Sequence, residues 1–337
     1  MSIVAPDIGI DLGTVNTSVY VRSRGIVISE PTVLVVDRDD RHRVLAVGDE
    51  ARFMLGRSPE SIQPCYPIKY GMIADFDMTE ILIRYFIRKA IGISHLIKPR
   101  VIVSVPCGLA DVNRKALNEA VRMGGAKQVI LVEKPFAAAL GTGLPVYDPV
   151  GSMVVDIGAG TTDIAIVSLG GPVVSHSVQI GGNKLDESII QYLRKDCGIL
   201  VGHQTAESVK KDLASAIPLE ELRTVTIRGI SQSAATAGAI DFTSSQAYQA
   251  VKDSCAGILS AIKWVLERTP PELAADVMRS GIHLTGGASQ LFALDRYISS
   301  QLGLPVRLAR EPADCTIMGI GYLTENIQLV LPQSRRN

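Results

Sequence analysis

One pattern occurs twice in this chain of 337 residues, and it limits the possible architectures more than any other feature. An apolar run ends in aspartate, an x-Gly step and a small polar turn follow, and a threonine stands six residues after the aspartate. The first copy is IGIDLGTVNT from Ile8 to Thr17, continued by a β-prone Ser18-Val-Tyr-Val run. The second is VVDIGAGTT from Val154 to Thr162, continued by Ile164-Ala-Ile-Val. A glycine-bearing turn between two strands lets backbone N–H groups converge on an anion, which suits phosphate. Thr14, Asn16, Thr161 and Thr162 can add hydroxyl or amide donors. Asp11 and Asp156, each at a strand end, are hard oxygen ligands suited to Mg²⁺ through its coordinated waters. A single copy reads as an ordinary hairpin turn. Two copies point to two similar halves facing each other across a cleft and gripping a polyphosphate from opposite sides.

The rest of the chain is compatible with that arrangement. Its length predicts about two domains. Apolar residues make up 47% and charged residues 20%, enough for buried cores and too apolar for a disordered chain. Thirty-four basic residues cancel thirty-four acidic ones, so no overall field draws nucleic acid, and no nucleic-acid partner is expected. The five cysteines are scattered without a C-x-x-C, which predicts buried thiols in a reducing compartment and not a zinc site. With no signal-peptide pattern and no 18-residue apolar run, the expectation is a soluble cytosolic protein that can still touch a membrane surface.

Short β-branched runs alternate with longer amphipathic ones, which predicts an α/β fold. Strands are expected at Asp7–Asp11, Ser18–Arg22, Arg100–Val105, Gln128–Val132, Ser152–Asp156, Asp163–Ser168 and Gly281–Thr285. Met78, Ile81, Leu82, Tyr85 and Phe86 have helical spacing. Further helices are expected at Val112–Met123, from Val251 to Leu266 before Pro270-Pro271, at Thr205–Ala214, and at Gln290–Leu302 closed by Gly303. The strand Ile282–Thr285 opens through Gly286-Gly287, which permits close backbone approach to a ligand or merely makes a tight turn. Glu207 and Lys210 lie three apart on one helical face, as a solvated ion pair or as ligand contacts. The segment 92–98 holds Ile93, Leu96 and Ile97 beside basic residues, either tucked into the core or exposed as a membrane or partner contact.

These motifs, in this order, resemble the actin–hexokinase–heat-shock ATPase superfamily, and within it the bacterial actin (MreB) family. The resemblance runs from about Ile8 to about Ile327 and is most specific in IGIDLGTVNT, GSMVVDIGAGTTDIAIVSLGG, VEKPFAAALG and TPPELAADVMRSGIHLTGGASQL. It implies an actin-like ATPase fold: two ribonuclease-H-like lobes, a small subdomain on each, and a nucleotide cleft between them. The first lobe core would comprise 1–31, 67–140 and 318–337, with 32–66 as its small subdomain. The second would comprise 141–181 and 240–317, with 182–239 as its subdomain. Carried over position by position, Thr14, Val15 and Asn16 line one phosphate turn and Gly158, Ala159 and Gly160 the other. Glu207, Ser208, Val209 and Lys210, with Gly286, Gly287, Ala288 and Ser289, hold the adenosine of ATP or ADP. Asp11 and Asp156 organise Mg²⁺ and its water, and Asp156, Thr161 and residue 134 stand where hydrolysis is catalysed. The resemblance also implies paired protofilaments of this chain, an inner-membrane contact through Ile93, Leu96 and Ile97, other MreB-like paralogues as partners, and a role in cell shape or filament-driven motility. Metabolic kinases of the superfamily are the alternative, but no acceptor-site carboxylate stands out beyond the residues already assigned.

Two departures from the family pattern carry weight. Glu-Glu-Pro becomes Glu133-Lys134-Pro135, so a lysine stands where a glutamate helps orient the attacking water. Gly-Asp-Glu-Met-Asp becomes Gly182-Asn183-Lys184-Leu185-Asp186, with two acidic positions lost. Both point to a specialised paralogue, of the kind wall-less helical bacteria carry, with slow hydrolysis. Side chains at 133 and 134 should point to opposite sides of an extended segment, so Glu133 is poorly placed to replace the missing carboxylate. Lys134 is expected to pair with Asp156 or with a phosphate oxygen, or else to turn to solvent.

Overall fold

The computed structural model describes residues 6–40, 43–55, 59–92, 98–232, 234 and 236–331. The chain divides into two compact units: Met1–Asp148 with Leu169–Gly171 and Asp314–Asn337, and Pro149–Ser168 with Pro172–Ala313. The changeover therefore falls at Asp148/Pro149, where the sequence alone suggested 140/141. Backbone hydrogen bonds from Leu169 to Asp148 and from Gly170 to Val146 tie that short excursion to the first unit.

The first unit is built on a five-stranded sheet. Its strands are β1 (Ile8–Leu12), β2 (Asn16–Val21), β3 (Gly25–Pro31), β4 (Arg100–Val105) and β5 (Gln128–Glu133), in spatial order β5-β4-β1-β2-β3. The pairs β1–β2 and β2–β3 are antiparallel, while β1–β4 and β4–β5 are parallel. Alternation sends Ile8, Ile10, Leu12, Val101, Val103 and Val105 to one face. There they pack with Met78, Leu82 and Phe86 of α1 (Phe76–Ile91) and with Leu117 and Val121 of α2 (Asp111–Met123). Each such fully buried side chain stabilises the unit by about 1.5–3 kcal/mol before entropy is counted. Asp75 caps α1, its carboxylate accepting from the Met78 N–H at 3.1 Å. The other face presents Gly9, Asp11 and Ser104. Gly9 is bare because a Cβ there would run into Ile320 of a later helix. Residues 32–66 hold a separate three-stranded sheet of Leu34–Asp37, Val44–Val47 and Ile62–Cys65.

The second unit repeats the plan. Its sheet contains β6 (Ser152–Ile157), β7 (Thr162–Ser168), β8 (Gly171–Val178), β9 (Ile282–Thr285) and β10 (Val306–Leu308), in order β8-β7-β6-β9-β10. The β6–β7 pair is antiparallel, and β6–β9 and β9–β10 are parallel. Strand order and these directions match those of the first sheet, so the repeat seen in the turns extends to the whole layer. Met153, Val155 and Ile157 pack with Leu185 and Ile189 of α4 (Gly182–Asp196) and Val251, Ile258 and Ile262 of α6 (Ser244–Glu267). Here α3 denotes Lys134–Gly141, α5 His203–Leu213, α7 Pro271–Ser280, α8 Leu294–Leu302 and α9 Cys315–Glu325. A capping box of Thr243 and Gln246 starts α6.

One expected helix is broken. Gln290–Leu302 is a 3₁₀ turn at Gly287–Gln290 followed, after an interruption, by α8. Phe292 is pulled into a parallel bridge with Ser215, its carbonyl accepting from the Ala216 N–H at 2.9 Å, and Ala293 takes a left-handed φ of 59°. That long-range bridge outweighs the local helical spacing. No helix among the described residues is long and apolar enough to cross a membrane.

Candidate functional site

The two repeated turns fold alike. Gly13 N–H donates to the Asn16 carbonyl at 3.1 Å, and Gly158 N–H to the Thr161 carbonyl at 2.9 Å. A side chain on Gly13 would collide with the Asn16 carbonyl, so the first turn requires glycine. Thr14 Oγ1 accepts from Gly71 N–H at 3.1 Å, and Val15 and Asn16 are exposed at the tip. In the second turn Gly158 and Ala159 are half-buried and Gly160 is buried. The carbonyls of Gly158 and Ala159 accept from Gly182 and Asn183 at 3.0 and 2.8 Å, which fastens the turn to the start of α4.

The repeat's threonines have a structural role. Thr17 shares a buried 2.8 Å hydrogen bond with Thr32, and Thr162 donates to the Ile180 carbonyl at 2.6 Å. The expectation that Thr162 supplies a ligand donor therefore does not hold. Thr161 is better placed. Its buried hydroxyl donates to Asp163 Oδ2 at 2.7 Å, so its proton is committed and its lone pairs are left to accept from a water. Asp163 was not identified from the sequence. A fully buried carboxylate within the apolar run Thr162–Ser168 is the available signal.

A second correspondence links the strand-end aspartates. Ser104 of β4 donates to Asp11 Oδ1 at 2.5 Å, and Thr285 of β9 donates to Asp156 Oδ1 at 2.9 Å. In each unit the hydroxyl comes from the parallel strand beside the aspartate's own. Neither partner was predicted, although each is a lone hydroxyl residue near the end of an apolar strand. Asp11 also has a cation beside it: Lys134 Nζ lies 3.5 Å from Asp11 Oδ1, and the side chains are only 10% and 19% exposed. At an effective dielectric near 20 such a pair attracts by about 4 kcal/mol, offset by the cost of withdrawing both ions from water. Lys134 is the first residue of α3, where the helix dipole disfavours a cation. Asp11 offsets that. Lys134 is therefore not turned to solvent, and Asp11 is one carboxylate that it pairs with. Glu133 ends β5 and lies 3.8 Å from Arg114 of α2, on the opposite face of the sheet from Asp11. It therefore faces away from Asp11 and Ser104.

The segments expected to hold adenosine also have definite places. Glu207 pairs with Lys211 at 2.7 Å. Lys210 instead reaches Asp186 at 2.8 Å and donates to the Gly182 carbonyl at 3.1 Å. Burial holds the Asp186 carboxyl above the usual range, and Lys210 opposes that shift. Ser208 is exposed and donates to the Gln204 carbonyl, while Val209 lies in the core. Gly286 has φ +82° and no room for a side chain against the Ile157 backbone. Gly287 is exposed, Ala288 half-buried, and buried Ser289 donates to the Gly286 carbonyl at 2.6 Å. A Cβ built on Gly182 would lie 3.4 Å from Lys210 Nζ, 3.6 Å from Ala288 Cβ and 3.7 Å from Ala159 Cα. Three segments far apart in sequence thus converge on one glycine of the second unit. Ile93, Leu96 and Ile97 lie outside the described residues.

The MreB/Mbl protein family profile matches residues 5–331. The chain belongs to the MreB/Mbl family. Family membership does not favour the metabolic-kinase alternative. The cell shape-determining protein MreB of Escherichia coli K12 is 43% identical over 328 residues, covering 96% of this chain and 94% of that protein. The cell shape-determining protein Mbl of Bacillus subtilis is 41% identical, covering 96% and 97%. The crystal structure of MreB 5 of Spiroplasma citri bound to AMPPNP superimposes with a TM-score of 0.89 at 32% identity, covering 96% and 97% of the two chains. The same Spiroplasma protein is also known bound to ADP. The MamK double helical filament, at 23% identity and a TM-score of 0.79, shares the actin-like fold.

Proposed function

We propose that this MreB/Mbl-family chain binds ATP with Mg²⁺, polymerises with itself into paired protofilaments, and hydrolyses ATP slowly as part of a cytoskeleton for cell shape or filament-driven motility. The convergence of Ala159, Lys210 and Ala288 around Gly182 carries this reading, because it brings together one turn expected to hold phosphate and the two segments expected to hold adenosine. In it, Thr14, Val15 and Asn16 with Gly158, Ala159 and Gly160 receive the phosphates. Glu207 to Lys210 and Gly286 to Ser289 frame the nucleoside, with Val209 acting through packing alone. The AMPPNP- and ADP-bound Spiroplasma structures support an adenine nucleotide as the ligand.

The donor chemistry at Asp156 fits a hydrated magnesium ion, since one carboxylate oxygen is fixed by Thr285 and Mg²⁺ keeps most of its waters. When bound, the ion would neutralise phosphate charge. Asp11 fits the ion less well, because its Oδ1 already takes the Ser104 hydroxyl and the Lys134 ammonium. Thr161, its proton held by Asp163, accepts from the attacking water and orients it. An ionised lysine offers only donors, so Lys134 cannot accept a proton from that water.

Slow hydrolysis is the consequence. General-base help is typically worth about 10²–10⁴-fold, and less where positioning dominates, as in phosphoryl transfer. Lys134→Glu should raise steady-state phosphate release by about tenfold or more, equal to about 1.4 kcal/mol of barrier. A folded, nucleotide-bound Lys134→Glu protein no faster than the parent would show that this residue does not limit the rate. Sedimentation with ATP should pellet the protein, whereas a kinase of the superfamily would stay in the supernatant.

A membrane-proximal location extends this reading. Ile93, Leu96 and Ile97, followed by Lys98, suit an anionic lipid surface, while Lys89 is held by Glu30 and Tyr85. Modest co-flotation with anionic liposomes is expected, weakened by Ile93→Ser with Leu96→Ser. Equal flotation of parent and double variant would remove these residues from the membrane contact.

A further inference from the structure

The pairing of Lys134 with Asp11 bears on the divalent ion itself. Asp11 is one of two carboxylates expected to organise that ion, yet it already has a full positive charge 3.5 Å away on a side chain 10% exposed. It also accepts a short hydrogen bond from Ser104. Its counterpart Asp156 accepts the matching hydroxyl from Thr285. Asp11 is thus charge-compensated from within the chain.

Placement explains why the ammonium stays there. Pro135 follows Lys134 directly, α3 begins at Lys134, and the next residues Phe136 to Ala139 are buried. The backbone at 134 is thus fixed by packing, and the side chain extends along the sheet face that carries Asp11 and Ser104. A carboxylate holding an ammonium offers less net negative charge to a hydrated divalent cation. The same ammonium also supplies local positive charge that a polyphosphate otherwise draws from the metal.

We propose that Lys134 serves as a resident cation at Asp11, so that adenine-nucleotide binding by this chain depends only weakly on a divalent ion. This rests on the nucleotide-binding reading given above. ATP binding is to be measured by titration calorimetry with Mg²⁺ and with EDTA, on the parent, Lys134→Met and Asp11→Asn, each checked for folding by circular dichroism. The parent affinity should fall by less than about threefold in EDTA. The fall for Lys134→Met should be at least about tenfold larger, a difference of about 1.4 kcal/mol. Asp11→Asn removes the negative charge beside the ammonium and should bind ATP in EDTA at least as tightly as the parent. Equal Mg²⁺ dependence in parent and Lys134→Met overturns the proposal, as does weaker EDTA binding by Asp11→Asn. Folded parent protein that binds no ATP in either buffer overturns the nucleotide reading itself.

Discussion

Gly319→Ala is expected to destabilise the first unit by about 2–3 kcal/mol, although alanine is the better helix former. In an exposed helix the exchange would gain about 1 kcal/mol. Here Gly319 of α9 faces α3 so closely that a Cβ would overlap the Ala137 carbonyl. Gly141 of α3 faces the Cys315 carbonyl in the same way, so the two glycines interlock backbone against backbone. The obstructing atoms are main chain and cannot swing aside, which places the cost at the upper end of overpacking penalties, about 3 kcal/mol. The melting temperature should drop by about 5–10 °C. Gly171→Ala is the control, because a Cβ at Gly171 has nothing within 4 Å. If Gly319→Ala melts with the parent, the helices cross less closely than described. The crossing also matters for function, since α3 begins at Lys134 and any shift of the helix moves the ammonium from Asp11.

The α3–α9 crossing shows what the sequence conceals. The helix Cys315–Glu325 is buried around most of its circumference and contains two glycines, so it has no polar stripe and no clear 3.6-residue period. By contrast, the strand at Arg100–Val105 has the bounds expected from the sequence, because a fully buried parallel strand reads as an uninterrupted β-branched run. The helix carrying Met78 and Phe86 was equally legible, being amphipathic. The repeated turns were visible because their glycines and aspartates are local. Their partners were not, since Ser104 and Thr285 reach the aspartates from strands distant in sequence, and only the sheet order brings them there. Lys134 was recognised as a departure, but its carboxylate partner depends on which strand end lies beside α3. Lys210 shows the same limit: helical spacing paired it with Glu207, whereas packing of α5 against α4 gave it the buried Asp186.

Asp156→Ala should reduce Mg²⁺-dependent phosphate release by about a hundredfold, the usual effect of removing a group that orients a metal ion or its water. Its effect on stability is a separate matter. From the sequence, a metal-site carboxylate should contribute little packing, but Asp156 is only 5% exposed and accepts from Thr285 at 2.9 Å. Alanine leaves that buried hydroxyl without this acceptor, at a cost of about 1–3 kcal/mol. Reduced activity in Asp156→Ala could then reflect a loosened second turn and not lost chemistry. Asp156→Asn separates the two effects. The amide oxygen can still accept from Thr285 while the negative charge is gone, so stability should stay within about 1 kcal/mol of the parent and the hydrolytic loss should persist. Phosphate release and thermal unfolding measured on both variants decide the point. A stable Asp156→Asn protein that hydrolyses ATP at the parent rate would remove Asp156 from the chemistry and leave it the structural task of holding β9 against β6.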